Sequence, residues 1–179
     1  HKKRDRLHLD FDKRLNLHEL PREIVQFYQD IRNRYSKGEE HDALEKEKLE
    51  IEIAGIKHTF GFGGLHGAIE NYRYTGRMMQ IDVSSFYPSL MINNDFISRN
   101  AQNPELYKKI YDERLKLKKE NDRKHEIYKI ILNSAFGAMK NEYNQLFDPV
   151  QFNNVTMNGQ LILTHLIILL QPFAKIIQS

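Results

Sequence analysis

Apolar residues in the first third of the chain follow two different periods. Over residues 21–35 they recur every three or four positions, which predicts a helix that begins at Pro21. The inner side of this helix is predicted to consist of Ile24, Val25, Phe27, Tyr28 and Ile31. Residues 36–48 are rich in charge, and we expect a solvated connection there with room for a short helix. Over residues 49–60 apolar and polar residues alternate around Ala54-Gly55, which predicts a β-hairpin.

The stretch from Met78 to Leu90 begins as a short apolar run and continues with serines, aromatics and a proline. The run predicts a buried strand with Asp82 in its middle. A buried carboxylate costs free energy unless it is paired or holds a cation. Pro88 can open a helix over residues 89–93. A carboxylate at a strand end, beside free backbone N–H groups, can hold a hard cation and polyphosphate oxygens together. The alternative is a structural aspartate that caps a neighbouring turn.

Two further helices are predicted between residues 104 and 140. Pro104 can start the first, which runs to about Glu120, and Asp122 can cap the second, which runs to about Lys140. Because the connection is short, we expect the two helices to lie antiparallel. Between Tyr107 and Lys129 there are nine basic and five acidic residues, a surplus of four positive charges (nine minus five). Such a surplus is typical of a solvated helical surface, and it also suits phosphate binding.

The second of these helices has one polar stripe on an otherwise apolar circumference. Its members are spaced three or four residues apart and therefore share a face: Glu126, Lys129, Asn133, Gly137 and Lys140. So narrow a stripe predicts a mostly buried helix that presents a lysine, an asparagine and a glycine toward a cleft. After it we expect a loop over residues 141–153, a helix over residues 154–171 that ends at Gln171-Pro172, and the start of a strand over residues 174–177.

Composition narrows the classes of protein to be considered. The chain has 179 residues, a formal charge of +3 and an apolar content of 40%, which suits a globular domain with a mild preference for anionic partners. It contains no cysteine, so disulfide frameworks and zinc–thiolate sites are excluded. The N-terminus is charged and no apolar run is long enough to span a bilayer, so we expect a cytoplasmic protein without a membrane partner. The pattern as a whole predicts an α+β fold.

Two motifs carry a resemblance to a known family. The segment Asp82-x-x-Ser85-Phe86-Tyr87-Pro88-Ser89 resembles the first catalytic motif of the family B DNA polymerases, D-x-x-S-L-Y-P-S, with phenylalanine in place of leucine. The segment Lys129-x-x-x-Asn133-Ser134-x-Phe136-Gly137 resembles the second, K-x-x-x-N-S-x-Y-G, with phenylalanine in place of tyrosine. Within this family, the sequence most resembles the replicases of phages and mobile elements. The resemblance implies a partial polymerase palm, made of a short antiparallel sheet with helices, and a two-helix fingers hairpin.

The resemblance also implies a role for each matching residue. Asp82 would bind Mg²⁺ with help from the Val83 carbonyl, the Ser85 and Phe86 backbone N–H groups would cradle a dNTP triphosphate, and Tyr87 would stack under its sugar. Lys129 would act in catalysis and phosphate binding, and Arg114, Lys118 and Asn133 would face the phosphates. Phe136 and Gly137 would pack on the nascent base pair. Gly63 and Gly64 resemble part of an element, Y-x-G-G, that contacts template DNA, although Gly61 stands at its tyrosine position.

Four regions follow from this assignment. Residues 1–48 would be a lead-in with one helix, 49–103 the first part of the palm, 104–140 the fingers, and 141–179 a return to the palm. Two divalent cations only ~4 Å apart repel each other strongly, so a site that holds both needs more than one carboxylate. In the family, a third motif, D-T-D-S, supplies the second carboxylate. This sequence has no such motif. We therefore expect a fragment that is catalytically incomplete by itself, with one carboxylate of a two-metal Mg²⁺ site.

The expected partners are a dNTP, primer–template DNA and the remainder of a replicative polymerase on another segment. Two hypotheses from other classes compete with this one. A non-catalytic nucleic-acid-binding module would use the basic helical hairpin as a phosphate clamp and would bind DNA regardless of Asp82. A purely structural helical domain would bury Lys129 and Asn133 against protein.

Overall fold

The computed structural model describes residues 9–179, apart from the side chain of Asp42. The first eight residues of the predicted lead-in therefore lie outside the described part. The chain is mixed α and β, and its one named sheet has two strands. It divides into two compact units: a first unit, Val83–Val155, and a second unit, residues 9–82 together with Thr156–Ser179. These boundaries fall inside the predicted regions 49–103 and 141–179.

The second unit begins with helices that the sequence predicted. A single 3₁₀ turn, Leu17–Glu19, precedes helix α1, Arg22–Ser36, which has Pro21 at its N-cap position. The predicted inner side is confirmed, because Ile24, Val25, Tyr28 and Ile31 are buried and Phe27 packs against the same core. A short helix α2, His41–Leu44, lies in the charged connection.

The predicted hairpin is also confirmed. Strand β1, Leu49–Ile53, pairs antiparallel with β2, Ile56–Phe60, and Ile53 lies opposite Ile56. The two-residue turn needs positive φ at both positions, and Ala54 and Gly55 have φ of 54° and 77°. The glycine takes this conformation without the steric cost that a side chain brings. The hairpin packs on α1 in one apolar core that also contains Met157, Leu161 and Ile167 of the last helix.

The strand predicted to start over residues 174–177 is not formed, because the C-terminal residues pair with residues 67–69 through only three backbone hydrogen bonds. Ile69 N–H donates to the Ile177 carbonyl at 3.0 Å, and Gly67 and Ser179 exchange two backbone hydrogen bonds. The result is an isolated antiparallel bridge between Ala68 and Gln178.

The first unit consists of helices. Helix α3, Phe86–Asn93, begins three residues before the predicted start. Helices α4, Pro104–Lys119, and α5, His125–Ala138, form the predicted hairpin and pack against each other, and α5 also contacts α3. Asp122 does not cap α5 directly but stabilises the preceding turn, where its carboxylate accepts a hydrogen bond from Lys124 N–H at 2.9 Å.

Helix α6, Pro149–Leu170, starts five residues earlier than predicted. Its first residue is a proline, which suits the first helical position because that residue has no N–H to satisfy. Just before it, the buried Asp148 carboxylate accepts from Gln151 N–H at 3.4 Å and from Arg99. The helix contributes residues 149–155 to the first unit and 156–170 to the second.

Candidate functional site

Asp82 lies on the surface, in an irregular segment, and not in the buried strand that its apolar neighbours predicted. Met78, Met79 and Ile81 are each more than half exposed, and Val83 is 41% exposed. A strand is stable only when its backbone groups pair with a neighbouring strand, and within residues 9–179 this run has no such neighbour. The strand prediction is therefore wrong, and so is its premise that Asp82 is a buried acid.

The turn after Asp82 positions the start of α3. Ser85 has φ of 55° and ψ of 42°, a left-handed conformation that is uncommon for a residue with a side chain. Its hydroxyl is buried and has no hydrogen-bond partner in the part of the chain that the structure describes. No side chain in the described part of the chain caps α3. Its first backbone N–H groups, which include those of Phe86 and Tyr87, therefore need acceptors from outside the helix.

Helix α4 brings two of the predicted phosphate-binding residues to one face. Lys118 reaches back to this turn, and its ammonium donates to the Ser84 hydroxyl at 2.8 Å. Arg114 lies one helical turn earlier, on the stripe with the buried Tyr107 and Leu117 that packs toward α5. Only 4% of its surface is exposed, and neither Nε nor Nη1 has a hydrogen-bond partner among residues 9–179. A buried guanidinium with two unsatisfied donors is costly, so Arg114 is a candidate for binding an acceptor that the described residues do not supply.

Helix α5 presents the predicted polar stripe to solvent. Lys129 has a side chain that is 51% exposed and forms an ion pair with Glu126, with 3.7 Å between nitrogen and oxygen, while Asn133 and Gly137 are exposed. This exposure is the opposite of what the purely structural hypothesis required. The prediction of a mostly buried helix is wrong as well, because Leu132 is the buried residue of α5 and three isoleucines are exposed. Those residues are Ile127 at 58%, Ile130 at 65% and Ile131 at 44%.

Four aromatic rings connect α3 to α5 and α6. The Tyr87 ring stacks on Phe86 with centroids 5.6 Å apart and contacts Phe136 at 4.7 Å. Phe136 in turn stacks on Phe152 at 4.7 Å. The two predicted site residues Tyr87 and Phe136 are thus brought together, and burial raises the pKa of the Tyr87 hydroxyl. The Phe136 ring therefore packs between helices of this chain, against Tyr87 and Phe152.

The glycines predicted to contact DNA belong to the second unit. Gly63 and Gly64 line a cavity of about 250 Å³ together with Lys48, Phe62, His66 and Gln160. The His66 ring covers Gly64 so closely that a Cβ there would lie 2.7 Å from its Nε2 atom. The Gly63 carbonyl accepts a hydrogen bond from Gln160 Nε2 at 3.0 Å, which ties the glycine segment to α6.

The donors available for Mg²⁺ are few. In the described ranges, no group of three or more His, Asp or Glu side chains comes together in a way that could hold a metal ion. Mg²⁺ commonly takes one or two carboxylates and completes its octahedron with water and substrate phosphates. Asp82 with the Val83 carbonyl suits one such ion at most and falls short of the two-metal arrangement that the resemblance implies.

The predicted site residues thus fall into two groups. Asp82, Gly63 and Gly64 belong to the second unit, and all the others belong to the first. Sequence reasoning missed Ser84, the partner of Lys118, because it occupies a variable position of the motif. It also missed the exposed Tyr72 and Tyr74, although their alternation with arginine was visible in the sequence.

Comparison of the chain with protein-family models, with curated proteins and with solved structures finds no match. Over residues 9–179, none of the helices combines the length and the apolar character that crossing a membrane requires.

Proposed function

We propose that this chain is the palm-and-fingers part of a family B DNA-directed DNA polymerase, and that its first unit binds the triphosphate of an incoming dNTP. The parent enzyme would transfer a nucleotide to a primer 3′-hydroxyl during DNA replication. The proposal rests on the two sequence motifs together with one observation, the unsatisfied guanidinium of the buried Arg114.

The argument from Arg114 is energetic. Arginine remains charged at all relevant pH values, so it cannot relieve its burial by losing a proton. Protein folds rarely leave such a group without acceptors unless a ligand supplies them. A phosphate fits best, because its oxygens accept several N–H donors from one guanidinium and carry the opposite charge.

Other residues of the first unit would complete a triphosphate site. Lys118 donates to a serine hydroxyl, a neutral acceptor that a phosphate oxygen can replace with a stronger, charge-assisted hydrogen bond. The uncapped N-terminus of α3 offers the backbone N–H groups of Phe86 and Tyr87 to anionic oxygens. Lys129 and Asn133 are exposed on one stripe of α5, where both can reach a ligand in solution. Phe136, held by Tyr87 and Phe152, would position Gly137 beside the base pair.

The test is a titration of the purified chain with a fluorescent dNTP. Replacing Arg114 with methionine keeps the volume and removes the charge, and affinity should fall about 10- to 100-fold, since hydrogen bonds to charged groups contribute about 1.5–3 kcal/mol. Arg123→Met is the matched control, because Arg123 is an exposed arginine beside the same hairpin. Equal affinities of wild type and Arg114→Met would refute the proposed site.

Primer extension tests the enzymatic part of the proposal separately. The 179-residue chain by itself should extend a primed template poorly, because the sequence lacks a second motif carboxylate. Robust Mg²⁺-dependent extension that disappears in Asp82→Ala would contradict this incompleteness while supporting the polymerase assignment.

A non-catalytic nucleic-acid-binding module is the second candidate. One observation favours it: of the nine basic residues between Tyr107 and Lys129, all except Arg114 are exposed. Such a surface would neutralise DNA phosphates and release counterions, so affinity for DNA would fall steeply with salt. If DNA binding is unaffected by Arg114→Met and Asp82→Ala, and no dNTP binds, this candidate replaces the first.

A further inference from the structure

A second basic and aromatic surface lies outside all of these motifs, in the second unit. Every residue from Glu70 to Asp82 is exposed, and the segment has no regular secondary structure. Within it Tyr72 is 39% exposed and Tyr74 52% exposed. Arg73 and Arg77 lie between and just after them, and neither forms an ion pair in the described part of the chain.

The two tyrosine rings are held in place although they are exposed. They stack with 6.3 Å between centroids and 13° between planes. The Lys175 ammonium lies 4.4 Å from the Tyr72 ring centroid, a cation–π contact from the C-terminal segment. The Tyr74 ring folds over Gly76 so closely that a Cβ at Gly76 would overlap it. A glycine at this position is therefore what allows the ring to lie there.

We propose that Tyr72 and Tyr74, with Arg73, Arg77 and Lys175, form a binding surface for single-stranded nucleic acid. Unpaired bases would stack on the tyrosine rings, and the three cations would bind the phosphates that follow. Surfaces of this kind combine aromatic platforms with a positive track along the backbone. The stacking of the two rings places Tyr72 and Tyr74 together, and Arg73 and Arg77 are their neighbours along the exposed segment.

The chemistry favours this partner over a protein or a duplex. The two acidic residues of the segment, Glu70 and Asp82, lie at its ends, so an anionic partner meets little repulsion beside the tyrosines. Stacking on an aromatic ring needs a base whose face is open, which a single strand offers and a duplex does not. Because its residues belong to the second unit and the proposed nucleotide site belongs to the first, this surface can be tested independently.

The experiment measures fluorescence anisotropy of a labelled oligothymidylate titrated with the 179-residue chain. Tyr72→Leu and Tyr74→Leu should each weaken binding about 5- to 100-fold, the range expected for loss of one base–aromatic stack. Tyr143→Leu is the matched control, because Tyr143 is 91% exposed but belongs to the first unit. Tyr72→Phe and Tyr74→Phe keep the ring and should bind like the wild type.

Two further arms separate stacking from charge. Arg73→Gln and Arg77→Gln should weaken binding to every sequence and flatten its dependence on salt. An unlabelled duplex should compete much less well than an unlabelled single strand. Wild-type affinity in both leucine variants, or equal competition by duplex, would overturn the proposal. Unchanged dNTP binding in the tyrosine variants would show that any loss is specific to this surface.

Discussion

Buried polar groups in the two units differ in whether their hydrogen-bonding atoms have partners. In the second unit the Tyr28 hydroxyl is within 3.0 Å of the Gly61 carbonyl, accepts from Gly61 N–H at 3.2 Å and contacts the Gln160 side chain. Gln160 uses its other end to hold Gly63. In the first unit the Arg114 guanidinium and the Ser85 hydroxyl have buried polar atoms that lack partners among the described residues. Both units therefore bury polar atoms, but only those of the Tyr28–Gln160 cluster are hydrogen-bonded.

This difference distinguishes polar groups that stabilise the fold from polar groups that can bind a ligand. A fully bonded cluster fixes the fold around it, here the joining of α1, the hairpin and α6 through Gly61. An unsatisfied cluster destabilises the protein alone and becomes favourable when a ligand supplies acceptors. The comparison therefore predicts that substitutions in satisfied clusters will reduce stability, whereas substitutions in the unsatisfied one will reduce binding.

The largest loss of stability is expected at Arg99, the satisfied counterpart of Arg114 within the same unit. Arg99 holds the Asp148 carboxylate through Nε at 2.8 Å and Nη2 at 2.7 Å, and the Asp148 side chain is 1% exposed. Arg99→Met should lower the free energy of unfolding by about 3–5 kcal/mol, because a buried charge loses its partner. Lys57→Met, which breaks an exposed pair with Glu50, is the control for urea denaturation and should change little. A small change in the free energy of unfolding of Arg99→Met would mean that the Arg99–Asp148 hydrogen bonds do not stabilise this unit.

A smaller loss is expected at Gln160 in the second unit. Gln160→Leu keeps the side chain's bulk but leaves the half-buried Gly63 carbonyl without its donor and the buried Tyr28 hydroxyl without its contact, and should cost about 1–3 kcal/mol. Gln178→Leu serves as a control, since Gln178 is an exposed glutamine of the same unit. If both variants unfold at the same urea concentration, the Tyr28–Gln160 cluster does not have the structural role assigned to it.

A pH-dependent loss is expected at His58. Its Nδ1–H donates to the Ile56 carbonyl at 2.9 Å, so the neutral ring accepts from the Ser179 hydroxyl at Nε2, also at 2.9 Å. Burial lowers the pKa of this histidine. As pH falls below about 6.5, the unfolded chain binds a proton that the folded chain does not, and stability falls by at most ~1.4 kcal/mol per pH unit.

Urea denaturation at about pH 7.5 and about pH 5.5 measures this dependence. His58→Leu should flatten it, because the variant has no proton to take up at this position. The same dependence in both proteins would assign the effect to other groups.

The smallest effect on stability is expected at Arg114, where the comparison is sharpest. Without nucleotide, Arg114→Met should leave the melting temperature unchanged or raise it, because no hydrogen bond is lost. Adding dNTP should stabilise the wild type, and the variant should need about 10- to 100-fold more dNTP for the same stabilisation because its affinity is lower. Differential scanning fluorimetry measures both. A large loss of stability in the nucleotide-free variant would mean that Arg114 stabilises the fold, as the hydrogen-bonded Arg99 does, and would contradict a ligand-binding role.

The elements that sequence predicted well depend on local chemistry. Helix α1 starts at a proline and follows a 3.6-residue period, and the hairpin turn contains a glycine where positive φ is needed. The start of α6 also had a local cause, Asp148 followed by Pro149, but the apolar period begins later and misplaced the boundary.

Other expectations failed because they depended on distant partners. Residues 78–83 have a strand's composition, but a strand also needs a neighbour, and composition does not supply one. Apolar residues occupy most of the circumference of α5, but their spacing does not specify which side is buried. Packing on α3 and α4 buries one side and leaves Ile127, Ile130 and Ile131 in solvent.

The candidate site divides in the same way. The residue types and spacings of the two motifs, and the surplus of basic residues in the α4–α5 hairpin, are properties of the sequence alone. Only the tertiary structure decided that Arg114 is buried without partners while Lys118 meets Ser84 and Lys129 is exposed. The physical reason is that spacing along a helix fixes which side chains share a face, whereas desolvation depends on what packs against that face.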